Sequence, residues 1–142
     1  MAGDKRCLVC EKHAGKGDPP PGGYILQGKY FAVCHGPPES SPLGTFLVES
    51  KRHFLDDGEM RDSEAGELGR ILSRLYPAIK KATGAVRIYS LSMMEGAPHF
   101  HLWLVPRTKK AKVRGVKFLA QNHSSRAEDA KRLAARVRRS LN

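Results

Sequence analysis

Long apolar runs are missing from this chain, and nowhere in its 142 residues does one approach the length of a membrane-spanning helix. The opening Met1-Ala2-Gly3-Asp4-Lys5-Arg6 has no apolar segment behind it, so the expectation is a protein without a secretory signal, cytoplasmic and with no membrane partner. Cysteine is scarce as well. Three residues, Cys7, Cys10 and Cys34, cannot all pair. In a reducing compartment a Cys-x-x-Cys pair reads as a metal or redox pair rather than a structural disulfide. No internal repeat is visible. Acidic side chains are rare in one region only. Residues 101–142 hold twelve basic and two acidic groups, whereas residues 1–100 hold thirteen and twelve. Of the net charge of +11, all but one unit therefore belongs to residues 101–142. Such a tail attracts polyanions, with nucleic acid and nucleotide phosphates as candidates; the plain alternative is a solvated helix face without a partner.

What is present suits one domain with a single sizeable core. The most informative stretch is Pro98-His99-Phe100-His101-Leu102-Trp103-Leu104-Val105-Pro106-Arg107. Its alternation predicts a half-buried strand, with the two prolines limiting it to the residues between them. Phe100, Leu102 and Leu104 take the core side, and His99, His101, Trp103 and Val105 take the other. Two imidazoles side by side on a rigid strand serve no packing need, but a reaction centre or metal site could use them.

The rest of the chain supplies a sheet and two helices. Residues 1–23 read as loop, because Asp18-Pro19-Pro20-Pro21-Gly22-Gly23 fits neither helix nor central strand. Cys7 and Cys10 precede that run at a spacing able to hold half of a tetrahedral zinc site, and His13 is a third ligand candidate by proximity. Tyr24–Leu26 and Tyr30–Cys34 read as a hairpin about a turn at 27–29, with Cys34 as a small buried hydrophobe. His35 to Pro42 is a loop, in which His35 reads as an exposed histidine. Leu43–Glu49 is a strand followed by Ser50-Lys51-Arg52-His53.

Leu68, Ile71, Leu72, Leu75 and Ile79 recur at helical spacing after a cap at Asp62 or Ser63. Pro77 is expected to kink the last turn before Gly84 ends the helix. Val86–Leu91 is a further strand. Val116–Ala120 reads as a short strand or extended arm. Ser125-Arg126-Ala127-Glu128 has the form of a capping box, opening a terminal helix whose apolar stripe is Ala130, Leu133, Ala134, Val137 and Leu141. Two segments follow, 1–107 as the main domain with its N-terminal metal-binding piece, and 108–142 as a basic extension whose helix packs on that domain.

The His99–Val105 run, with Pro106-Arg107 after it, resembles the signature of the histidine triad superfamily, His-x-His-x-His followed by two apolar residues, with Trp103 in the place of the third histidine. Gly44–His53 resembles the family's strand ending in a basic pair and histidine. Residues 62–81 resemble its long helix, and Cys7-Leu8-Val9-Cys10 the zinc pair of its zinc-bearing branch. The resemblance covers roughly residues 5 to 107. It implies an α+β fold, with an antiparallel sheet of about five strands, a long helix on one side and a C-terminal helix beyond. It also implies a homodimer. It extends the cysteine pair to a zinc site of Cys7, Cys10, His53 and His99.

The same resemblance implies nucleotide chemistry. A neutral imidazole can attack an α-phosphate and leave a nucleotidyl-histidine for water or a second acceptor. Carried over, His101 is the nucleophile, with Gly96, Trp103 and Arg107 as substrate-binding positions. Trp103 offers an N–H donor but no proton shuttle. Glu95 stands where the family usually has a phosphate-binding glutamine, and His35, with Glu39 nearby, where an acidic residue commonly holds the ribose. The implied activity is hydrolysis or nucleotidyl transfer on dinucleoside polyphosphates or nucleoside phosphoramidates. The alternatives are a nucleotide-binding module with little or no turnover, or a nucleic-acid-associated protein docking through its basic tail.

Overall fold

The computed structural model describes residues 7–142, and Met1 to Arg6, on which the reading of the extreme N-terminus rests, lie outside the described residues. Five strands form one antiparallel sheet in the order β1-β2-β3-β5-β4. They are β1 (Tyr24–Gln27), β2 (Phe31–His35), β3 (Phe46–Ser50), β4 (Arg87–Leu91) and β5 (His101–Arg107). The helices are α1 (Leu8–His13), α2 (Asp62–Thr83), α3 (Val116–Leu119) and α4 (Ala127–Leu141). This is the expected α+β architecture. Among the described residues no helix is long and apolar enough to cross a membrane.

Alternation along the strands builds the core. Phe31 and Val33 of β2, Phe46 and Val48 of β3, and Leu102 and Leu104 of β5 face one side of the sheet. There they meet Leu68, Ile71, Leu75 and Ile79 of α2 and Leu133, Ala134, Val137 and Leu141 of α4. The tail's helix is therefore part of the same core, although its composition differs from the rest of the chain. The β1–β2 turn is fastened to α2 by Glu67, whose carboxylate accepts the N–H groups of Lys29, Tyr30 and Phe31 at 2.8, 2.8 and 2.9 Å. Gly28 permits this approach, since a Cβ there would stand 2.7 Å from a Glu67 oxygen.

Several boundaries depart from the sequence reading. Residues 8–13 are helical rather than loop, and the Cys7 Sγ caps that helix by accepting the Cys10 N–H at 3.3 Å. The two cysteines are one helical turn apart, so their spacing is itself compatible with a helix. α2 passes through Pro77 and ends at Gly84, in the left-handed conformation (φ 74°). Its first turn is held by Glu64, which accepts the Arg61 N–H at 2.9 Å, rather than by Asp62 or Ser63. β5 begins at His101, not His99, and runs through Pro106 to Arg107. Pairing with β3 stops at Leu104, so the proline lies beyond β3, where its missing N–H costs no ladder bond on that side.

Val116–Leu119 is a helical turn rather than a strand, because Phe118 is drawn in against Tyr89 and His123. Ser125 does not cap α4. Its hydroxyl donates to the Ser41 carbonyl at 3.1 Å and its N–H to the Pro38 carbonyl at 2.7 Å, tying the start of the helix to the 37–41 loop.

Candidate functional site

Neighbouring strand ends bring two histidines together. His53 follows β3 by three residues and His99 precedes β5 by two, and β3 and β5 are paired. The pairing continues past the strands, with the Ser50 N–H donating to the Phe100 carbonyl at 3.1 Å and the Phe100 N–H to the Phe54 carbonyl at 2.7 Å. α1 lies over this corner and presents both cysteines. The Cys7 Sγ is 3.3 Å from the His99 Nδ1, and the Cys10 Sγ is 3.4 and 3.5 Å from the Nδ1 atoms of His53 and His99. The two Nδ1 atoms are 3.1 Å apart, and all four ligand atoms lie within 4.8 Å of one another.

Tetrahedral zinc with bonds of about 2.0–2.3 Å would place its ligand atoms about 3.3–3.8 Å apart, so this donor set has the right size, chemistry and number for that ion. His99 is pre-arranged for such a role. Its Nε2 donates to the Ser50 carbonyl at 2.6 Å, which turns the Nδ1 lone pair toward the cluster. Burial holds its pKa below the ordinary value and so favours the neutral, ligating form. His13, the alternative third ligand, stands outside the cluster, with its Nε2 3.0 Å from Glu49.

Beside this corner, on the face of the sheet opposite α2, lies a groove of about 1280 Å³. His101 and Trp103 of β5, and Leu47 and Glu49 of β3, line its floor. Val9 and Lys12 of α1 form one wall, the Pro37–Glu39 loop another, and Pro19–Gly23 with Lys131 of α4 close it from above. The His101 Nδ1–H donates to the His99 carbonyl at 2.7 Å. That bond selects the tautomer whose Nε2 keeps its lone pair on a half-buried side chain within the groove. The Trp103 ring is 6.4 Å from the His101 ring, edge to face, and forms part of the groove wall.

The other candidates are spread out. Gly96 is exposed on the loop before β5, while its neighbour Ala97 lines the groove. Arg107 is at the far end of β5, six residues and about 20 Å from His101, and its Nε donates to the Tyr89 hydroxyl at 2.9 Å. Glu95 is exposed, and Glu39 stands at the groove's rim. His35 is not an exposed loop residue. It ends β2 fully buried, donates from Nδ1 to the Gly36 carbonyl at 2.7 Å and accepts the Gly44 N–H on Nε2 at 3.0 Å. Burial lowers its pKa, and its role is to fasten the 36–44 loop. Cys34 is buried as expected, and burial pushes its thiol up to about 12.

Glu49 is the functional-site residue that sequence reasoning passed over. It pairs directly with His101 across β3 and β5, it is 2 % exposed, and it accepts from the Lys12 Nζ at 2.8 Å and the Tyr24 hydroxyl at 3.0 Å. Burial acts to raise its carboxyl, but the His13 hydrogen bond and the Lys12 charge outweigh that and hold it below the usual carboxylate range. The same burial and the Glu49 charge push the Tyr24 phenol well above its ordinary value. The available signal was a lone carboxylate inside the otherwise apolar alternation of Phe46-Leu47-Val48-Glu49, on the Leu47 face.

No protein-family profile matches the chain, and no curated protein matches it by sequence. Solved structures do match. A hypothetical histidine triad nucleotide-binding protein from Sulfolobus tokodaii superposes with a TM-score of 0.73 at 19% identity, over 95% of this chain and 91% of that one. A zinc-bound histidine triad family protein from Mycobacterium smegmatis gives 0.73 at 20% identity, over 98% and 95%. A Hit-like protein from Bartonella henselae, described as involved in cell-cycle regulation, gives 0.75 at 14% identity, over 99% of both chains. At these identities the likeness is one of fold. The chain has the fold of the histidine triad proteins over nearly its whole described length, the α4 tail included.

Proposed function

We propose that this protein is a histidine-triad-type nucleotide hydrolase or nucleotidyltransferase that works through a covalent nucleotidyl-His101, and that Cys7, Cys10, His53 and His99 hold a structural zinc ion. The observation that carries the reading is the orientation of His101: its Nδ1–H is held by the His99 carbonyl at 2.7 Å, which leaves Nε2 as the ring nitrogen available to a ligand in the groove, on a central strand. The fold shared with the Mycobacterium smegmatis and Sulfolobus tokodaii proteins supports it from outside.

In the proposed reaction the Nε2 lone pair attacks an α-phosphorus and forms a P–N bond. The bond to the leaving group breaks, and the leaving group takes the electron pair. The His99 carbonyl stabilises the charge that develops on the ring, through the Nδ1–H it already accepts. Water then attacks the phosphorus, the P–N bond breaks with its electron pair returning to Nε2, and neutral His101 is restored while the attacking water's proton is released to solvent; with another hydroxyl acceptor the same step is a transfer. Trp103 cannot donate a proton to the leaving group. Groups that depart as stable anions are therefore the favoured substrates. Through Cys7, Cys10, His53 and His99 a bound zinc ion would cross-link α1 to the sheet and so would fix Val9 and Lys12 as a wall of the groove.

The test is intact-protein mass spectrometry after mixing with nucleotides that carry a graded series of leaving groups, with product followed in the same samples. The expected result is a nucleotidyl adduct or product that disappears in His101→Ala and that increases as the leaving group becomes less basic. Tight mononucleotide binding with neither adduct nor product would replace this reading with that of a binding module, for which Trp103 in the groove is the favouring observation.

A further inference from the structure

The charge of the tail is not spread evenly over the fold. On α4 much of it is already engaged. Arg138 donates to the carbonyls of Gly22 and Tyr24 at 2.7 and 3.0 Å, Arg132 pairs with Asp129 at 2.7 Å, and Lys131 lies 3.6 Å from Glu128. The segment between β5 and α3 differs. Lys109, Lys110, Lys112 and Arg114 are all exposed, and none forms an ion pair among the described residues. No acidic residue occurs between Glu95 and Glu128.

One side chain closes this segment into a loop. The Tyr89 hydroxyl of β4 accepts from the Arg107 Nε at 2.9 Å and from the Gly115 N–H at 2.7 Å. Residues 107 and 115, eight apart, are thereby held at one atom. The Tyr89 ring also packs on Phe118, which anchors the chain just after the loop. With both ends clasped, the loop's tip extends at most about 12–14 Å from the clasp, half its contour length. Its four cations are therefore confined to one small area. Exposed Arg87 flanks it two residues before Tyr89. The Tyr89 phenol senses this setting: the Gly115 N–H, then the Arg107 guanidinium, with Arg87 beside them, lower its pKa.

We propose that this clasped loop, residues 107–115, is a nucleic-acid docking surface that grips the phosphodiester backbone without reading sequence. A compact set of unpaired lysines and an arginine on a fixed loop is what counterion release requires. Thr108–Arg114 contains no aromatic side chain for stacking and no Asn or Gln for paired contacts to base edges. A membrane is the less suitable polyanion. The loop is not an amphipathic helix, and Val116 is the one strongly exposed apolar side chain next to it. The surface is at the opposite end of β5 from His101, so binding here does not depend on the chemistry proposed for the groove.

The experiment measures binding of the full-length protein to short fluorescent oligonucleotides, single-stranded and duplex, across a salt series. Four phosphate contacts give a slope of log affinity against log salt of about −4 on duplex and about −3 on single strands, or roughly a hundredfold loss on duplex from 50 to 200 mM. Replacing Lys109, Lys110, Lys112 and Arg114 with glutamine should remove most of that slope and weaken binding at least tenfold at low salt. Arg136→Gln with Arg139→Gln on α4 should leave the slope within about one unit, and His101→Ala should leave it unchanged. Circular dichroism confirms folding of each variant. Unchanged affinity in the loop variant, an equal loss in the α4 variant, or binding to phosphatidylserine vesicles with none to oligonucleotides would each overturn the proposal.

Discussion

The two faces of the central sheet are made by the same strands and have little else in common. On the α2 side, Phe31, Val33, Phe46, Val48, Leu102 and Leu104 form an apolar layer. On the other side the alternate residues of those strands are Cys34, Leu47, Glu49, His101 and Trp103, and what covers them is a six-residue helix and a groove. One face is held by area removed from water. The other is held by a few directed bonds: the Cys7, Cys10, His53 and His99 cluster, and the contacts of Lys12, His13 and Tyr24 with Glu49. A face secured by few bonds can be shaped around a ligand, but each of its bonds matters individually.

The largest stability effect belongs to the apolar face. Phe100 is fully buried, stacked on Phe54 at 5.0 Å and edge-on to Phe31 at 5.9 Å. Phe100→Ala should cost about 3–5 kcal/mol, read as a lower denaturation midpoint in urea with an unchanged slope. An effect below about 1 kcal/mol would mean that the sheet does not depend on this layer.

Removing the metal should come next. If zinc occupies the four-residue cluster at a thousand times its dissociation constant, chelation should remove about 4 kcal/mol of apparent stability. The loss should be local. Hydrogen exchange should rise in residues 8–13, and Trp103, the sole tryptophan, should change its emission as α1 leaves the groove. Exchange rising equally in α2 would show that the cluster holds the whole fold rather than one face.

The difference between the faces also decides how much was legible in the sequence. Alternation in His99–Val105 and the apolar stripe of α2 gave the core side of the central strand and the helix that covers it, because burial follows a simple period; the order of the strands was not legible in the same way. Cys7, Cys10, His53 and His99 came together as a set only through the resemblance, and the cysteine pair alone supplied half of them. Glu49 escaped because its partners, Lys12, His13 and Tyr24, are distant in sequence and meet it only after α1 folds over β3. Ser125 had the right spacing for a cap but found the Ser41 carbonyl instead, a tertiary partner that a local pattern does not contain. Pro106 looked like a strand end because the sequence does not say where the neighbouring strand stops.

Glu49 offers a smaller, pH-dependent test of the polar face. Its folded-state pKa is depressed, so its contribution is present above the unfolded carboxylate value of about 4.3 and is lost as pH falls through the folded value. Glu49→Gln should cost about 1–3 kcal/mol at pH 7, because Lys12 and His13 lose a charged acceptor. The gap between variant and wild type should narrow as the pH is taken below about 4. A gap that stays constant down to the acid limit would show that the carboxylate acts by shape rather than by charge.

The smallest stability effect should be at His101, and that is its value as a test. The side chain is half-buried at the groove, and its Nδ1 bonds to the chain's own backbone. His101→Ala should therefore change stability by no more than about 0.5–1 kcal/mol, in the range of substitutions away from packed or networked positions. The same change should abolish adduct formation. That pair of outcomes would set His101 apart from its neighbours Phe100 and Leu102, which the core needs, and would support the role proposed for it. Were His101→Ala to destabilise as much as Phe100→Ala, the imidazole would be a packing element, and the contrast between the two faces would lose its functional meaning.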